Sequence, residues 1–135
     1  MVLSITTYDA EKHCHIVHAP SDSIIETDAP KDNQGKGDKF SPTDLMGAAL
    51  GSCILTTMAI FFEKDGLVLK GAQAQVTKEM AANPRRIAKF SVQITFPKGI
   101  KTEFRTKLES VAHACPVHKS LHPSIEVPIE FIYPD

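Results

Sequence analysis

The sequence carries almost no net charge, which limits the partners that it can attract at long range. Its 15 lysine and arginine residues nearly balance 16 aspartate and glutamate residues, and the formal net charge at pH 7 is -1. A chain with this balance produces no general electrostatic field for nucleic acid or for an anionic membrane surface. We therefore expect neither partner, and we expect the function to depend on a local site.

Cysteine is also scarce, and this scarcity bears on the compartment. Three cysteines are too few, and odd in number, for the disulfide scaffold of a small secreted protein. The first residues show neither the basic start and apolar run nor the cleavage pattern of a secretory signal. We therefore expect a cytoplasmic protein in which any disulfide is a transient chemical step.

The chain has no internal repeat and no linker, and its length suits one domain covering residues 1–135. One loop-like stretch, residues 28–39, follows three short segments that are rich in valine and isoleucine. These segments, residues 2–8, 13–18 and 23–27, are separated by turn-forming residues. The pattern predicts a three-stranded meander.

A long helix is predicted to start at Ser41, which can cap it, with Pro42 in its first turn and Asp44 three residues after the cap. No charged residue occurs in residues 45–62, and Gly66 follows a polar group that suits a helix end. The uncharged run also reaches the lower length limit of a membrane span. Its glycine, serine and threonine residues favour a buried core helix instead.

A helix that is apolar nearly all round must be covered on every side. One small domain offers a single sheet and one other long helix for this purpose. We therefore expect an obligate homodimer in which a second copy covers the remainder of the helix. The small residues Gly47, Ala48 and Gly51 are expected to allow the helices to approach closely.

The second half of the chain predicts a hairpin, a helix and a final strand. Apolar residues alternate with period two in residues 72–76 and again in residues 90–96, with a turn between them. A helix is predicted to begin at Thr102 and to carry Cys115 at the end of its apolar face. A strand over residues 125–133 completes the order βββ-α-ββ-α-β, which is an α+β fold.

Cys53 and Cys115 lie on the apolar faces of the two predicted helices. Each alone is simply explained as a small buried apolar residue. Pro116 can start a new helical turn, so that Cys115 would stand at its N-cap, where the helix dipole and cations such as His113, His118 or Lys119 favour a thiolate.

If the two cysteines meet, they can carry out a peroxide cycle without metal or organic cofactor. One cysteine becomes a sulfenic acid and the other condenses with it to a disulfide. An external thiol then reduces this disulfide by exchange. Apolar surroundings disfavour a thiolate, so a cation or a hydrogen-bond donor has to compensate.

Two kinds of metal site are considered and not expected. In a strand, Cys14 would point to the face opposite to His13 and His15. A zinc site that joins Cys53 and Cys115 to a nearby histidine would match no standard spacing.

Two other functions remain open at this point. Acyl transfer would need a Cys-His pair, for which Cys115 and His118 are the local candidates, together with an oxyanion hole that has no visible signal. The non-enzymatic alternative is a dimeric module that binds a small apolar ligand between its long helices, with the cysteines incidental.

Two segments, residues 40–53 (FSPTDLMGAALGSC) and residues 112–118 (AHACPVH), resemble the signature regions of the OsmC/Ohr family, and the predicted element order resembles it too. The resemblance implies an intertwined homodimer with two interfacial active sites that reduce organic hydroperoxides or hydrogen peroxide. It implies that Cys53 attacks the peroxide and that Cys115 resolves the product. It also implies reduction by a dithiol such as a lipoylated protein.

The sequence departs from the family pattern at two places. Peroxidases of the family have a glutamate directly after the helix-start proline, where this chain has Thr43 followed by Asp44. They also hold the thiolate with an arginine near the first N-terminal turn, whereas this chain has no arginine before Arg85. Arg85 and Arg86, in the predicted hairpin turn, are candidate cations from a partner subunit, although a solvated role is simpler.

Overall fold

A computed structural model describes residues 1–134 and contains the predicted α+β succession of elements. The chain forms two compact units, Met1–Met46 and Gly47–Asp135. The strands are β1 Ser4–Tyr8, β2 His13–His18, β3 Ser23–Asp28, β4 Gln73–Ala81, β5 Arg86–Thr95 and β6 Ile129–Ile132. The helices are α1 Pro42–Phe61, α2 Thr102–Ala112 and α3 Pro116–Ser120. The short helix α3 is the addition to the predicted order, and the single domain stays a prediction.

The first unit is built on the predicted antiparallel meander, in the order β1-β2-β3. β1 begins at Ser4 rather than at residue 2, and all of its residues are exposed. Apolar side chains on the sheet, including Ile5, Ile24 and Ile25, are also exposed. This sheet therefore has apolar surface that the single chain leaves in contact with water.

An ionic contact joins β2 to β3 in this unit. The Nδ1 atom of His13 lies 2.6 Å from Oδ1 of Asp28, and its Nε2 atom lies 3.1 Å from Oε1 of Glu26. The hydrogen bond with Asp28 raises the pKa of His13 above its ordinary 6.5, with a smaller contribution from Glu26. The same hydrogen bond lowers the pKa of Asp28 below 3.8. His13 and Asp28 therefore form a pair in which both partners are charged at mildly acidic pH.

We predict that this pair makes stability depend on pH. Because the folded pKa of His13 lies above 6.5, its contribution is complete below pH 6.5 and is lost as the pH rises through the folded value. The Asp28 contribution is present above pH 3.8 and is lost as the pH falls through its lowered pKa. His13→Gln should therefore lower the free energy of urea unfolding more at pH 6 than at pH 8. His122→Gln, at an exposed position, is the control, and an equal loss at both pH values for His13→Gln would contradict the prediction.

The second unit has a sheet in the order β4-β5-β6, with β4 antiparallel and β6 parallel to the central β5. The alternation predicted for β5 is confirmed, because Phe90, Val92 and Ile94 are buried. Residues at alternate positions from Ile125 to Tyr133 pack against this core. The parallel pairing of β5 with β6 was not foreseen, and the crossover that it requires contains α2 and α3.

Helix α1 has 20 residues and is buried along one side. Gly47 and Gly51 face the sheet of the second unit, because a Cβ atom at Gly47 would lie 3.0 Å from the ring of Phe90, and one at Gly51 would lie 3.3 Å from Cβ of Ala74. This corrects the expectation for the small residues: these two glycines allow close approach to the chain's own sheet. Ala48 is exposed. The side opposite the sheet is uncovered in the single chain.

The composition of α1 also bears on the membrane alternative. By length and apolar composition alone, α1 is able to cross a membrane, and 28% of its most apolar window is buried in the structure. The core helix of a soluble protein passes the same test, so this finding is weak support for a membrane span.

The start of α1 is the predicted capping arrangement. The Ser41 backbone N–H donates to Oδ2 of Asp44 at 2.9 Å, and the Asp44 backbone N–H donates to Oγ of Ser41 at 3.0 Å. Two backbone donors that the helix itself leaves unpaired are thus satisfied reciprocally. Asp44 therefore acts at the helix start, as the sequence indicated.

We predict that Ser41→Ala lowers the free energy of unfolding by about 1 kcal/mol, because the substitution removes the buried hydroxyl that accepts the Asp44 backbone N–H at the helix start. Ser52→Ala removes a hydroxyl from an exposed position of the same helix and should change the free energy of unfolding by less than about 0.5 kcal/mol. Chemical denaturation of both variants at one protein concentration measures the difference. Equal effects of the two substitutions would show that the cap contributes nothing specific.

Candidate functional site

Cys53 and Cys115 reach the candidate site from different elements of the second unit. Cys53 lies on α1, two residues after Gly51, and is half-buried. Cys115 is fully buried. The sequence placed Cys115 on the second helix, but α2 ends at Ala112. Cys115 is instead the N-cap of α3, which agrees with the effect expected of Pro116.

The structure brings the two cysteines into contact. The side chains of Cys115 and Cys53 lie close enough for Cys53 to raise the pKa of Cys115, and both cysteines are free thiols. The third cysteine, Cys14, lies on β2 in the first unit. The two cysteines that the sequence singled out, which are distant along the chain, therefore lie near each other, and their roles in a disulfide cycle stay a prediction.

The surroundings of Cys115 keep its proton in place. Burial raises the pKa of Cys115 above its ordinary 9.0, and the hydrogen bond and negative charge of Cys53 raise it further. The backbone N–H groups of His118 and Val117 act in the opposite direction, and the former lies 3.3 Å from the sulfur. The net direction is upward. The surroundings of Cys115 therefore favour its protonated form.

A hydroxyl group reaches the sulfur of Cys53 from the same helix. Oγ1 of Thr57 lies 3.8 Å from Sγ of Cys53, whereas the neighbouring Thr56 hydroxyl donates to the backbone oxygens of Ser52 and Cys53 at 2.9 and 3.3 Å. Sequence reasoning did not single out Thr57. The signal was its position four residues after Cys53, which places both side chains on one helix face.

The side chain of His118 does not supply the positive charge that was expected beside Cys115. Burial lowers the pKa of His118, and the charges of His113 and Lys119 lower it further. The Nδ1 atom of His118 is buried and has no hydrogen-bond partner within residues 1–134. The hydrogen bond that joins His118 to Cys115 comes from the backbone. This corrects the expectation for His118 and gives no support to a Cys-His pair for acyl transfer.

The arginines of the hairpin turn have local roles in the structure. Nη1 of Arg86 donates to the backbone oxygens of Ala82 and Pro84 at 3.0 and 2.9 Å. Arg86 thereby stabilises its own turn, and Arg85 is exposed beside it. The role of Arg85 or Arg86 as a cation for the site of a partner subunit stays a prediction.

A cavity of about 440 Å³ lies beside α1 in the same unit. Its apolar lining includes Leu55, Ala59, Leu67 and Leu69, and Lys70 and Glu63 are its charged residues. The cavity can accommodate the apolar part of a small molecule. Across residues 1–134, no group of three or more histidine, cysteine, aspartate or glutamate side chains is arranged to hold a metal ion.

Comparison with known proteins places the fold and the family. Residues 35–130 match the family of OsmC-like proteins, whereas no curated protein matches the chain. A Psychrobacter arcticus 273-4 protein, described as an osmotic stress induced and detoxification response protein, is 40% identical with a TM-score of 0.92, over 97% of this chain and 96% of that one.

Two structures of organic hydroperoxide resistance proteins share the fold at low identity. The Legionella pneumophila protein is 13% identical with a TM-score of 0.79, over 98% of this chain and 96% of that one. The Elizabethkingia anophelis protein is 16% identical with a TM-score of 0.80, over 99% of this chain and 96% of that one. The family match covers most of the sequence. The chain belongs to the OsmC-like family.

Proposed function

We propose that this protein is a thiol-dependent peroxidase that reduces organic hydroperoxides or hydrogen peroxide, with Cys53 as the attacking residue and Cys115 as the resolving residue. The observation that carries the proposal is the proximity of these two free cysteines in a largely buried site. Membership of the OsmC-like family and the names of the hydroperoxide resistance proteins with the same fold support it.

The first step is attack by the Cys53 thiolate on the terminal oxygen of the hydroperoxide. A sulfur lone pair forms the S–O bond, the O–O bond breaks, and the alkoxide takes up a proton and leaves as an alcohol. Hydrogen peroxide gives water in its place. Sulfur is oxidised by two electrons to a sulfenic acid, and the peroxide is reduced by the same two electrons.

The second step requires Cys115 to lose its proton. Once Cys53 carries a neutral sulfenic acid, the repulsion that raised the pKa of Cys115 is removed, and the N–H groups of Val117 and His118 can stabilise a thiolate there. This thiolate attacks the sulfur of Cys53, and the hydroxide leaves with a proton as water. The product is a Cys53–Cys115 disulfide.

The third step restores both thiols by exchange with an external dithiol. One sulfur of the reductant attacks the disulfide to form a mixed disulfide, and its second sulfur releases the protein with both cysteines reduced. A lipoylated protein is a suitable reductant because it carries both thiols on one flexible group. The cycle fits a reducing compartment such as the cytoplasm, where we propose that the protein acts.

The cavity beside α1 has an apolar lining that can hold a hydrocarbon group, and neither Cys53 nor Cys115 is among its lining residues. The same cavity favours a second candidate function, in which the protein binds an apolar ligand and the cysteines have no role. The two functions differ in their dependence on Cys53.

We predict that one equivalent of an organic hydroperoxide produces a Cys53–Cys115 disulfide in the wild type and a trapped sulfenic acid at residue 53 in Cys115→Ser. Cys53→Ser should lower the rate of peroxide consumption by at least about a hundredfold, and Cys14→Ser, the matched control, should leave it unchanged. Mass spectrometry of the thiols and peroxide assays with a dithiol measure these results. Unchanged thiols in the wild type would exclude the peroxidase, and full ligand binding by inactive Cys53→Ser would favour the binding module.

We also propose that the working form is a homodimer. The exposed side of α1 is apolar, and Ile60 on it is 75% exposed. The sheet of the first unit also exposes isoleucines. Apolar surface of this extent on a small protein typically marks an interface, and a second copy of the chain satisfies it by symmetry.

We predict that light scattering at micromolar concentration detects a dimer, and that Ile60→Asp weakens it by at least tenfold, because a charge would have to be buried in the interface. Ala82→Asp introduces the same charge at an exposed position of the β4–β5 turn and should leave the dimer intact. A stable, folded wild-type monomer would contradict the proposal.

A further inference from the structure

Activation of Cys53 needs a donor, and the chain supplies one that is not charged. Within residues 1–134, the side-chain hydrogen bond of the Cys53 sulfur is the one with the hydroxyl of Thr57, and Cys115 lies near the same sulfur. Arg86 is engaged with its own turn, and the side chain of His118 is not hydrogen-bonded to either sulfur. Cys115 is consumed when it resolves the sulfenic acid, whereas the hydroxyl of Thr57 stays beside Cys53 and is able to donate to it.

The geometry of Thr57 is unusual for a threonine within a helix. Such a hydroxyl commonly donates to a backbone oxygen three or four residues earlier, and Thr56 does so, at 2.9 Å from the oxygen of Ser52. The hydroxyl of Thr57 lies instead 3.8 Å from the Cys53 sulfur. The branched side chain limits rotation about χ1, which holds the hydroxyl near this position.

We propose that Thr57 is the residue that activates and positions Cys53, by donating its hydroxyl hydrogen to the thiolate. The expected effect on peroxide reduction rests on the proposed peroxidase function, whereas the contact between Thr57 and Cys53 does not depend on that function. A hydroxyl has one hydrogen to donate and lone pairs to accept. Thr57 can therefore donate to the thiolate before the reaction and accept from the S–OH group after it.

The size of the effect follows from the kind of hydrogen bond. Bonds to a charged acceptor are stronger than those between neutral groups, but a long contact to sulfur lies at the weak end of that range. We expect Thr57 to favour the thiolate by about tenfold, which moves the midpoint of a thiolate titration by about one pH unit.

The test compares three variants in a background of Cys14→Ser and Cys115→Ser, so that Cys53 is the single thiol. Thr57→Val keeps the shape and removes the hydroxyl, Thr57→Ser keeps the hydroxyl, and Thr56→Val removes the neighbouring hydroxyl that bonds to the backbone. The rate of alkylation by iodoacetamide is measured against pH. Thr57→Val should raise the midpoint by about one pH unit, whereas Thr57→Ser and Thr56→Val should stay close to the background.

Peroxide kinetics with both native cysteines separate this inference from the proposed function. Thr57→Val should react with an organic hydroperoxide about tenfold more slowly at neutral pH, and Thr57→Ser should restore the rate to within about twofold. An unchanged alkylation midpoint in Thr57→Val, or an equal shift in Thr57→Ser, would overturn the role of the hydroxyl. If Thr57→Val shifts the alkylation midpoint and the protein with both native cysteines consumes no peroxide, the hydrogen bond between Thr57 and Cys53 would be supported and the proposed peroxidase function would be overturned.

Discussion

The contact between the sulfur atoms of Cys53 and Cys115 is the constraint on which the chemistry of this protein depends. Two thiols in contact can share a proton, but two thiolates at that distance repel each other. The charge therefore resides on one sulfur at a time. Burial and the neighbouring sulfur both raise the pKa of Cys115, which supports the proposed order in which Cys53 attacks and Cys115 resolves.

Two parts of the fold position the two cysteines, namely α1 for Cys53 and the start of α3 for Cys115. Gly47 and Gly51 let α1 approach β4 and β5 to the distance at which a side chain would collide, which fixes the height of Cys53 above the sheet. Pro116 starts α3, and the sulfur of Cys115 accepts the His118 N–H at 3.3 Å. A site assembled on helices is held more accurately than one on mobile loops. The same N–H that fixes Cys115 in the reduced state is available to stabilise its thiolate during resolution.

The sequence predicted the helices and strands and singled out the two cysteines, but it did not predict which residues contact them. The capping residues Ser41 and Asp44 act locally, so their hydrogen bonds follow from spacing alone. The role of Gly47 was assigned wrongly, because periodicity shows that a small residue lies on a helix face and does not show which element that face meets. The sequence pattern extended the apolar face of the second helix to Cys115. Cys115 is in fact the N-cap of α3, but this position continues the spacing of apolar residues along α2.

The role of Thr57 illustrates the limit of sequence reasoning. Thr56 and Thr57 are adjacent and identical in type, and either could donate to the backbone within a helix. Their difference arises from rotation around the helix axis, which turns Thr57 toward the Cys53 sulfur and Thr56 toward solvent. A neutral donor also suits this site physically. A cation would stabilise a thiolate more strongly, but its own charge would then have to be desolvated and compensated in apolar surroundings after the thiolate has been consumed. A hydroxyl carries no such cost, because it is neutral before and after the reaction and can reverse from donor to acceptor as the sulfur changes state.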